Sequence, residues 1–447
     1  MQRLEEIDQK RKKLHEELAL LDAEEAEIRR NMNVANTLDR ETVDLVHQTV
    51  SQNGCAAAQV RLETATEEER GRMFAAVLCD LRNLATQTYS ALFLHKLVET
   101  IGEQCHGQLL YSLDVGTTFV DIASAQAGAH TLQRLMDLLR DSQAQANFCR
   151  MITNRVVALA NHPNGCHVVL RAISNRVAVD KAELVTSITR NCVVIATNKQ
   201  GCCVLQRAIE WLPESLREHV IDAVIAHELD LVQDAFGNYV VQHLLDRKDD
   251  KLIKRAIQPL LHSIAGLACD KFGSNVIEKC MRVSHPSIKQ LLIDEVTDPS
   301  VLPRLLQDSY ANYVIQTAIS SSSEDQFQQL HAAIRPNFAS LKHSPYGVRV
   351  EAKIQRRLKD NARARQRQTK KRSNAPPNNN NNNGNHVIPH QHGGGGAMNG
   401  NGMDGQVPNV QVHFHDPAAM QPGNGGGNPH GFPLAWTPSG QPAAATS

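Results

Sequence analysis

Between about residues 35 and 358 the apolar residues fall at helical spacing. In ESLREHVIDAVIAHELDLV, residues 214–232, they recur every three or four positions with polar residues filling the gaps, the signature of an amphipathic helix. A break containing glycine, DAFG at 234–237, separates this run from a second one, YVVQHLL at 239–245. No segment alternates apolar and polar residues as a half-buried strand would, and internal prolines are few. The pattern predicts helix after helix, grouped as hairpins or triplets.

These groups repeat. Aligning the small residue that precedes each second run gives SQNGCAAAQV, TQTYSALFLHK, SAQAGAHTLQR, HPNGCHVVLR, NKQGCCVLQR, DAFGNYVVQH, DKFGSNVIEK, DSYANYVIQT and SPYGVRVEAK. The anchors are Gly54, Ser90, Gly128, Gly165, Gly201, Gly237, Gly273, Ala311 and Gly347, spaced by 36, 38, 37, 36, 36, 36, 38 and 36 residues. A near-constant period of this length marks a stacked array. The predicted fold is an all-α, curved solenoid of eight repeats of about 36 residues with terminal caps, over residues 35–358. Stacked units bury one continuous core and expose two long surfaces, one of them concave.

The flanks differ. Residues 1–34 place Leu4, Ile7, Leu14, Leu18, Leu21 and Ile28 on a heptad seam interrupted by Arg11 and Glu25, compatible with a coiled coil, a solvated helix or a cap. Residues 359–372 form a basic segment; 353–372 together hold ten Lys/Arg against one acid. From 373 to 447 there is no Lys or Arg, and Asn, Gly, Pro and His dominate, a composition that cannot bury enough apolar surface to offset chain entropy and is expected to be disordered. The opening MQRLEEIDQKRKKL is charged where a secretory signal is apolar, and no stretch is apolar enough for a membrane helix. With ten cysteines scattered and no CxxC pair, a soluble intracellular chain without disulfides or zinc is expected.

Chemistry concentrates behind the anchors. We number three reader positions: the first and middle are the two residues after the anchor, and the third lies four beyond the first. They are Asn238, Tyr239 and Gln242 behind Gly237, Ser274, Asn275 and Glu278 behind Gly273, and Asn312, Tyr313 and Gln316 behind Ala311. At 100° per residue the first and third share a helix face, one turn apart, and the middle one is displaced around the helix. Val, Ile and Leu between them account for a core on their own. An Asn/Gln pair matches the mixed donor–acceptor edge of uracil, Glu supplies two acceptors to guanine's paired donors, and a displaced ring stacks between bases. Polar ladders bridging neighbouring repeats would use the same residue types, but would not account for one Ser/Glu set between two Asn/Gln sets.

DAFGNYVVQ, DKFGSNVIEK and DSYANYVIQ resemble the recognition helices of the PUF (Pumilio) family of RNA-binding proteins, and the likeness extends over about residues 35–358. The resemblance implies a right-handed superhelix that runs antiparallel to single-stranded RNA. Asn312 and Gln316 would then read U, Ser274 and Glu278 G, Asn238 and Gln242 U, and Cys202 and Gln206, with Cys203 between, A: the element UGUA. Cys166 with Leu170 around His167, Ala129 with Gln133 around His130, and Ala91 with His95 around Leu92 depart from the pattern and predict a tolerant spacer. Cys55 and Gln59 suit a 3′ adenine, although Ala56 offers no ring. The family further implies binding to mRNA 3′ untranslated regions in the cytoplasm, and repression of translation or mRNA decay through deadenylase complexes or other repressors.

Charge changes the picture only locally. Lys+Arg and Asp+Glu both number 47, and residues 31–352 hold 30 basic against 35 acidic residues, so bulk charge cannot hold RNA. Lys96, Arg134, Arg171, Arg207 and Lys279 each follow a third reader, beside the expected RNA path. For 353–372, nuclear import, phosphate contact and a plain linker all remain open. Walker, HExxH, GxSxG and dinucleotide motifs are missing, and the 20 histidines lack ligand spacing, so no catalysis, cofactor, metal or small-molecule substrate is expected. The competing classes are an armadillo-like peptide scaffold and a nucleolar PUF-like protein gripping structured RNA.

Overall fold

A computed structural model describes residues 39–174 and 181–373. The heptad seam of 1–34 and the Asn/Gly-rich tail beyond 373 lie outside the described residues. Every regular element that is described is helical, in agreement with the apolar spacing. The unit is a triplet: a long helix, Glu214–Ala226, a short one, Glu228–Val232, and after a tight loop a third, Gly237–Leu245. The same order recurs in Lys181–Arg190, Cys192–Ala196 and Gly201–Trp211, and in Pro286–Val296, Leu302–Leu305 and Ala311–Ser321.

The third helices carry the anchors: α1 (Gln52–Thr64), α2 (Thr88–Ile101), α3 (Gln126–Leu138), α4 (Gly165–Ser174), α5 (Gly201–Trp211), α6 (Gly237–Leu245), α7 (Gly273–Val283), α8 (Ala311–Ser321) and α9 (Pro345–Ser373). Each packs on the next, so they form one continuous layer. The adhesive is a fixed apolar register. Three, four, seven and eight residues past the anchor, α6 buries Val240, Val241, Leu244 and Leu245, α7 Val276, Ile277, Cys280 and Met281, and α8 Val314, Ile315, Ala318 and Ile319. These lie at i, i+1, i+4 and i+5, one stripe of a helix, and each full burial of such a side chain is worth roughly 1.5–3 kcal/mol.

The anchor is small because the short helix comes close. A Cβ added at Gly237 would lie 2.8 Å from the Leu231 carbonyl oxygen, at Gly273 2.7 Å from that of Leu267, and at Gly347 2.6 Å from that of Leu341. Where the chain has Ser90 or Ala311 the side chain is itself fully packed. The loop before the anchor is fixed by a cap that recurs in α4–α8. Asp234 Oδ1 accepts from the N–H groups of Phe236 (2.8 Å) and Gly237 (2.7 Å), Asp270 from Phe272 (2.9 Å) and Gly273 (2.7 Å), and Asp308 from Tyr310 and Ala311 (both 2.8 Å). Asn198 does the same ahead of α5 and the His162 ring nitrogen ahead of α4. A side-chain acceptor here satisfies N–H groups that a helix start leaves without partners. In α2 and α3 the helix instead begins two residues before the anchor and has no side-chain cap.

Candidate nucleic-acid interface

In α4–α8 the cap and the anchor together set the first turn of the third helix, and so place the three reader positions. All eight middle residues of α1–α8 reach toward solvent. Ala56, Leu92, His130, Cys203, Tyr239, Asn275 and Tyr313 are exposed and His167 is half-buried. The two rings are far from core-like, at 42% exposure for Tyr239 and 41% for Tyr313. Third positions Gln59, His95, Gln133, Gln206, Gln242 and Gln316 are half-buried, whereas Leu170 and Glu278 are buried.

The first positions differ from the expectation of an open amide edge. Cys55, Ala129, Cys166, Cys202, Asn238, Ser274 and Asn312 are all buried, Asn238 to 2% and Asn312 to 0%. The reason is their place in the first turn, wedged against the preceding loop. Asn238 Nδ2 donates to the carbonyls of Asp234 (2.8 Å) and Ala235 (3.1 Å), and Asn312 Nδ2 to those of Asp308 and Ser309 (both 2.9 Å). Each Asn then presents its Oδ1 to the third reader, which donates back: Gln242 Nε2 at 2.9 Å and Gln316 Nε2 at 3.0 Å. The first residue thus orients the third, and the half-buried Gln carboxamide carries the accessible donor–acceptor edge. The same arrangement in α6 and α8, 74 residues apart in sequence, follows from the shared Asp cap.

In α7 the pair is built differently. Ser274 Oγ donates to the Lys271 carbonyl at 3.3 Å, and Glu278 Oε2 accepts from Thr317 Oγ of α8 at 2.8 Å and from Arg282 Nη1 at 3.1 Å. With two donors on Oε2, Glu278 keeps the acceptor capacity of Oε1 on a side chain that is 7% exposed. In the tolerant half, Gln133 turns back onto its own helix, donating to the Ala129 carbonyl at 3.1 Å. Burial, with the Arg134 cation secondary, pulls the His95 imidazole down to about 4, and burial with neighbouring His130 lowers His167. Both rings are therefore neutral near pH 7. Among the thiols, burial pushes Cys166 up to about 11. The exposed Cys203 is lowered by hydrogen bonding with Cys202, and then by the Arg207 and Lys199 cations.

The cations that follow the third readers are mostly committed. Arg134 pairs with Glu99 (2.5 Å), Arg171 with Asp137 (2.5 Å) and Lys279 with Asp246 (2.5 Å), each acid 33 to 35 residues back on the preceding repeat. Arg207 pairs with Glu210 of its own helix at 2.6 Å. Their register thus reflects ion pairs between successive repeats and within a helix. Sequence reasoning did not assign these acids, nor the Asp cap, although DAFG, DKFG and DSYA spell the latter out. Among the described residues no group of three or more His, Cys, Asp or Glu could hold a metal ion.

A stacked array of helix triplets that repeats a buried first position, a mostly half-buried third and a solvent-reaching middle one is a helical-repeat protein. The model of the Pumilio-family RNA-binding repeat matches residues 155–189, 191–225, 227–257, 263–297 and 304–330, the stretch that holds α4–α8. These five segments of the chain are thus similar to Pumilio-family RNA-binding repeats. It is 44% identical over 81 residues to a Pumilio domain-containing protein of Schizosaccharomyces pombe, covering 18% of this chain and 12% of that one. To the maternal protein pumilio of Drosophila melanogaster it is 39% identical over 67 residues, 14% of this chain and 4% of that one. The aligned segments are therefore short pieces of these curated relatives. Among solved structures, the Puf4 RNA binding domain bound to the HO endonuclease RNA 3′ UTR recognition sequence is similar, with TM-score 0.56 and 25% identity over 68% of this chain and 97% of that one. The RNA-binding domain of yeast Puf5p bound to AAT2 RNA shares the fold, with TM-score 0.59 and 23% identity over 71% and 97%.

Proposed function

We propose that the chain binds single-stranded RNA in a sequence-specific manner, with α8, α7, α6 and α5 reading U, G, U and A in turn and α4, α3 and α2 spanning a tolerant spacer. The observation that carries this is the pair of like hydrogen-bonded Asn–Gln arrangements in α6 and α8 with a Ser–Glu arrangement between them, each beside an exposed middle residue. A polar ladder alone would link repeats throughout, whereas the Asn–Gln bonds stay within one helix. The period and the continuous layer of third helices support a count of eight repeats. Support for the RNA class comes from the Puf4 domain, which carries a 3′ UTR recognition sequence. The role that fits is post-transcriptional repression of mRNAs bearing UGUA-type elements in their 3′ untranslated regions, in the cytoplasm, through a recruited deadenylase or translational repressor.

Selection of bound sequences from a random RNA pool by the full chain, at stated salt, tests this. The expected result is UGUA followed by a tolerant stretch. Binding without a consensus would favour backbone recognition of structured RNA, and no binding would favour a peptide in the groove.

Tyr239 tests the stacking role separately. Tyr239→Ala is expected to weaken binding of the selected RNA by roughly 1–3 kcal/mol with its base preference unchanged, because ring–base stacking is tolerant of sequence. A changed preference in a second selection would contradict that role.

A further inference from the structure

We propose that one face of α9, carrying Arg349, Lys353, Arg356, Arg363 and Arg367, binds the RNA backbone immediately 5′ of the bases read by α8. This rests on the reading of α5–α8 above and adds a segment of RNA that no reader position touches.

Arg349 stands in α9 where Tyr313 stands in α8, and its Nη1 donates to the Tyr313 hydroxyl at 3.0 Å. The column of middle positions therefore continues one helix further and turns cationic. The first and third positions of α9 are Val348 and Ala352, both exposed. Neither offers a hydrogen-bonding edge, so α9 reads no base. What it has instead is length: the helix runs from Pro345 to Ser373, through the compositional boundary at 358. At 100° per residue, positions 353, 356, 360, 363 and 367 lie within about 40° of Arg349, and at 1.5 Å per residue the stripe extends about 27 Å.

Four of those five positions are Lys or Arg. The exception, Asp360, sits 3.7 Å from Arg363, and this is the stripe's one ion pair among the described residues. The contrast with α3, α4 and α7 is direct, since their cations are neutralised by acids of the preceding repeat. Arg357 points elsewhere and holds the helix in place. It donates to the carbonyls of Ile319 (3.1 Å), Ser320 (3.0 Å) and Ser322 (2.9 Å) and lies 5.3 Å from the Phe327 ring centroid. The stripe is thus a fixed row of cations, continuous with the reading column, on a repeat region that is otherwise net acidic. A polyanion arriving along that column meets here a cluster of cations of which all but Arg363 lack an acid partner among the described residues, which favours RNA over a protein receptor as the occupant.

The test compares three RNAs bound to the full-length chain across a salt series: the selected element alone, the element with a 5′ extension, and the element with a 3′ extension. The 5′ extension is expected to tighten binding about tenfold or more at low salt. It should also steepen the dependence of log K on log salt by about three, as four or five phosphate contacts to a single strand would. The variant Lys353→Gln/Arg356→Gln/Arg363→Gln/Arg367→Gln should lose that gain and bind the bare element as the parent does, which also shows that it is folded. Equal affinity of the parent for the bare and 5′-extended RNAs overturns the proposal while leaving the base reading intact. Equal weakening of the variant on all three RNAs also overturns it. A parent that binds none of them removes the base reading, and this proposal with it. If the 5′ gain is missing but the variant loses nuclear accumulation in cells, the stripe belongs to import instead.

Discussion

Replacing Ser274 by Asn and Glu278 by Gln is expected to move the preferred second base from guanine to uracil. The structure makes α7 ready for the exchange. Asp270 caps its first turn as Asp234 and Asp308 cap those of α6 and α8. An Asn at 274 therefore finds the carbonyls of Asp270 and Lys271 where Asn238 finds those of Asp234 and Ala235. A Gln at 278 then receives the same orienting acceptor that Asn238 gives Gln242, and its oxygen can still accept from Thr317. What is lost is the carboxylate. Guanine presents two adjacent donors, which a carboxylate accepts together and a carboxamide cannot. Charge-assisted bonds are also roughly twice as strong as neutral ones. Discrimination of about 1–3 kcal/mol at that base is expected to invert, by analogy with bidentate base contacts in DNA grooves. Competition binding of UGUA and UUUA elements by the double variant measures it. An unchanged order would remove direct reading by α7.

The period was legible because its cause is local. A carbonyl of the short helix approaches each anchor so closely that Gly237, Gly273 and Gly347 have no room for a Cβ, and the apolar register after them repeats with the core. The reader positions were legible as positions, but not their division of labour. Helical geometry puts the first and third on one face, yet only the preceding loop shows that Asn238 and Asn312 are covered and act by orienting Gln242 and Gln316. Partners more than 30 residues away were out of reach of any local pattern. The pairs Arg134–Glu99 and Arg171–Asp137 therefore looked like cations free to meet RNA. Composition drew an edge at 358 because charge rises there, while Arg, Lys, Gln and Ala are good helix formers and carry α9 straight through.

Glu228 was hidden for the opposite reason: in ESLREHVIDAVIAHELDLV it resembles every other acid on a solvated face. It is 1% exposed, and neither carboxylate oxygen has a hydrogen-bond partner. Burial pushes its carboxyl up to about 9 from an ordinary 4.5, so the folded protein keeps it protonated at neutral pH. Below the ordinary value both folded and unfolded chains hold the proton, and stability is unaffected. Between the two values the unfolded chain releases the proton and the folded one keeps it, so stability falls as pH rises, by about 1.4 kcal/mol per unit. Near pH 7 the deficit is about 3 kcal/mol, large for a fold whose net stability is typically 5–15 kcal/mol. Glu228→Gln, which cannot ionise, is expected to raise the urea midpoint near neutral pH by an amount corresponding to about 3 kcal/mol, and to match the parent near pH 4. A difference that does not vary with pH would show that Glu228 titrates normally in the fold. The site matters for the interface as well as for stability. Glu228 opens the short helix whose Leu231 carbonyl closes on Gly237, so forcing its ionisation presses on the turn that presents Asn238. RNA affinity should therefore weaken at alkaline pH in the parent more than in Glu228→Gln.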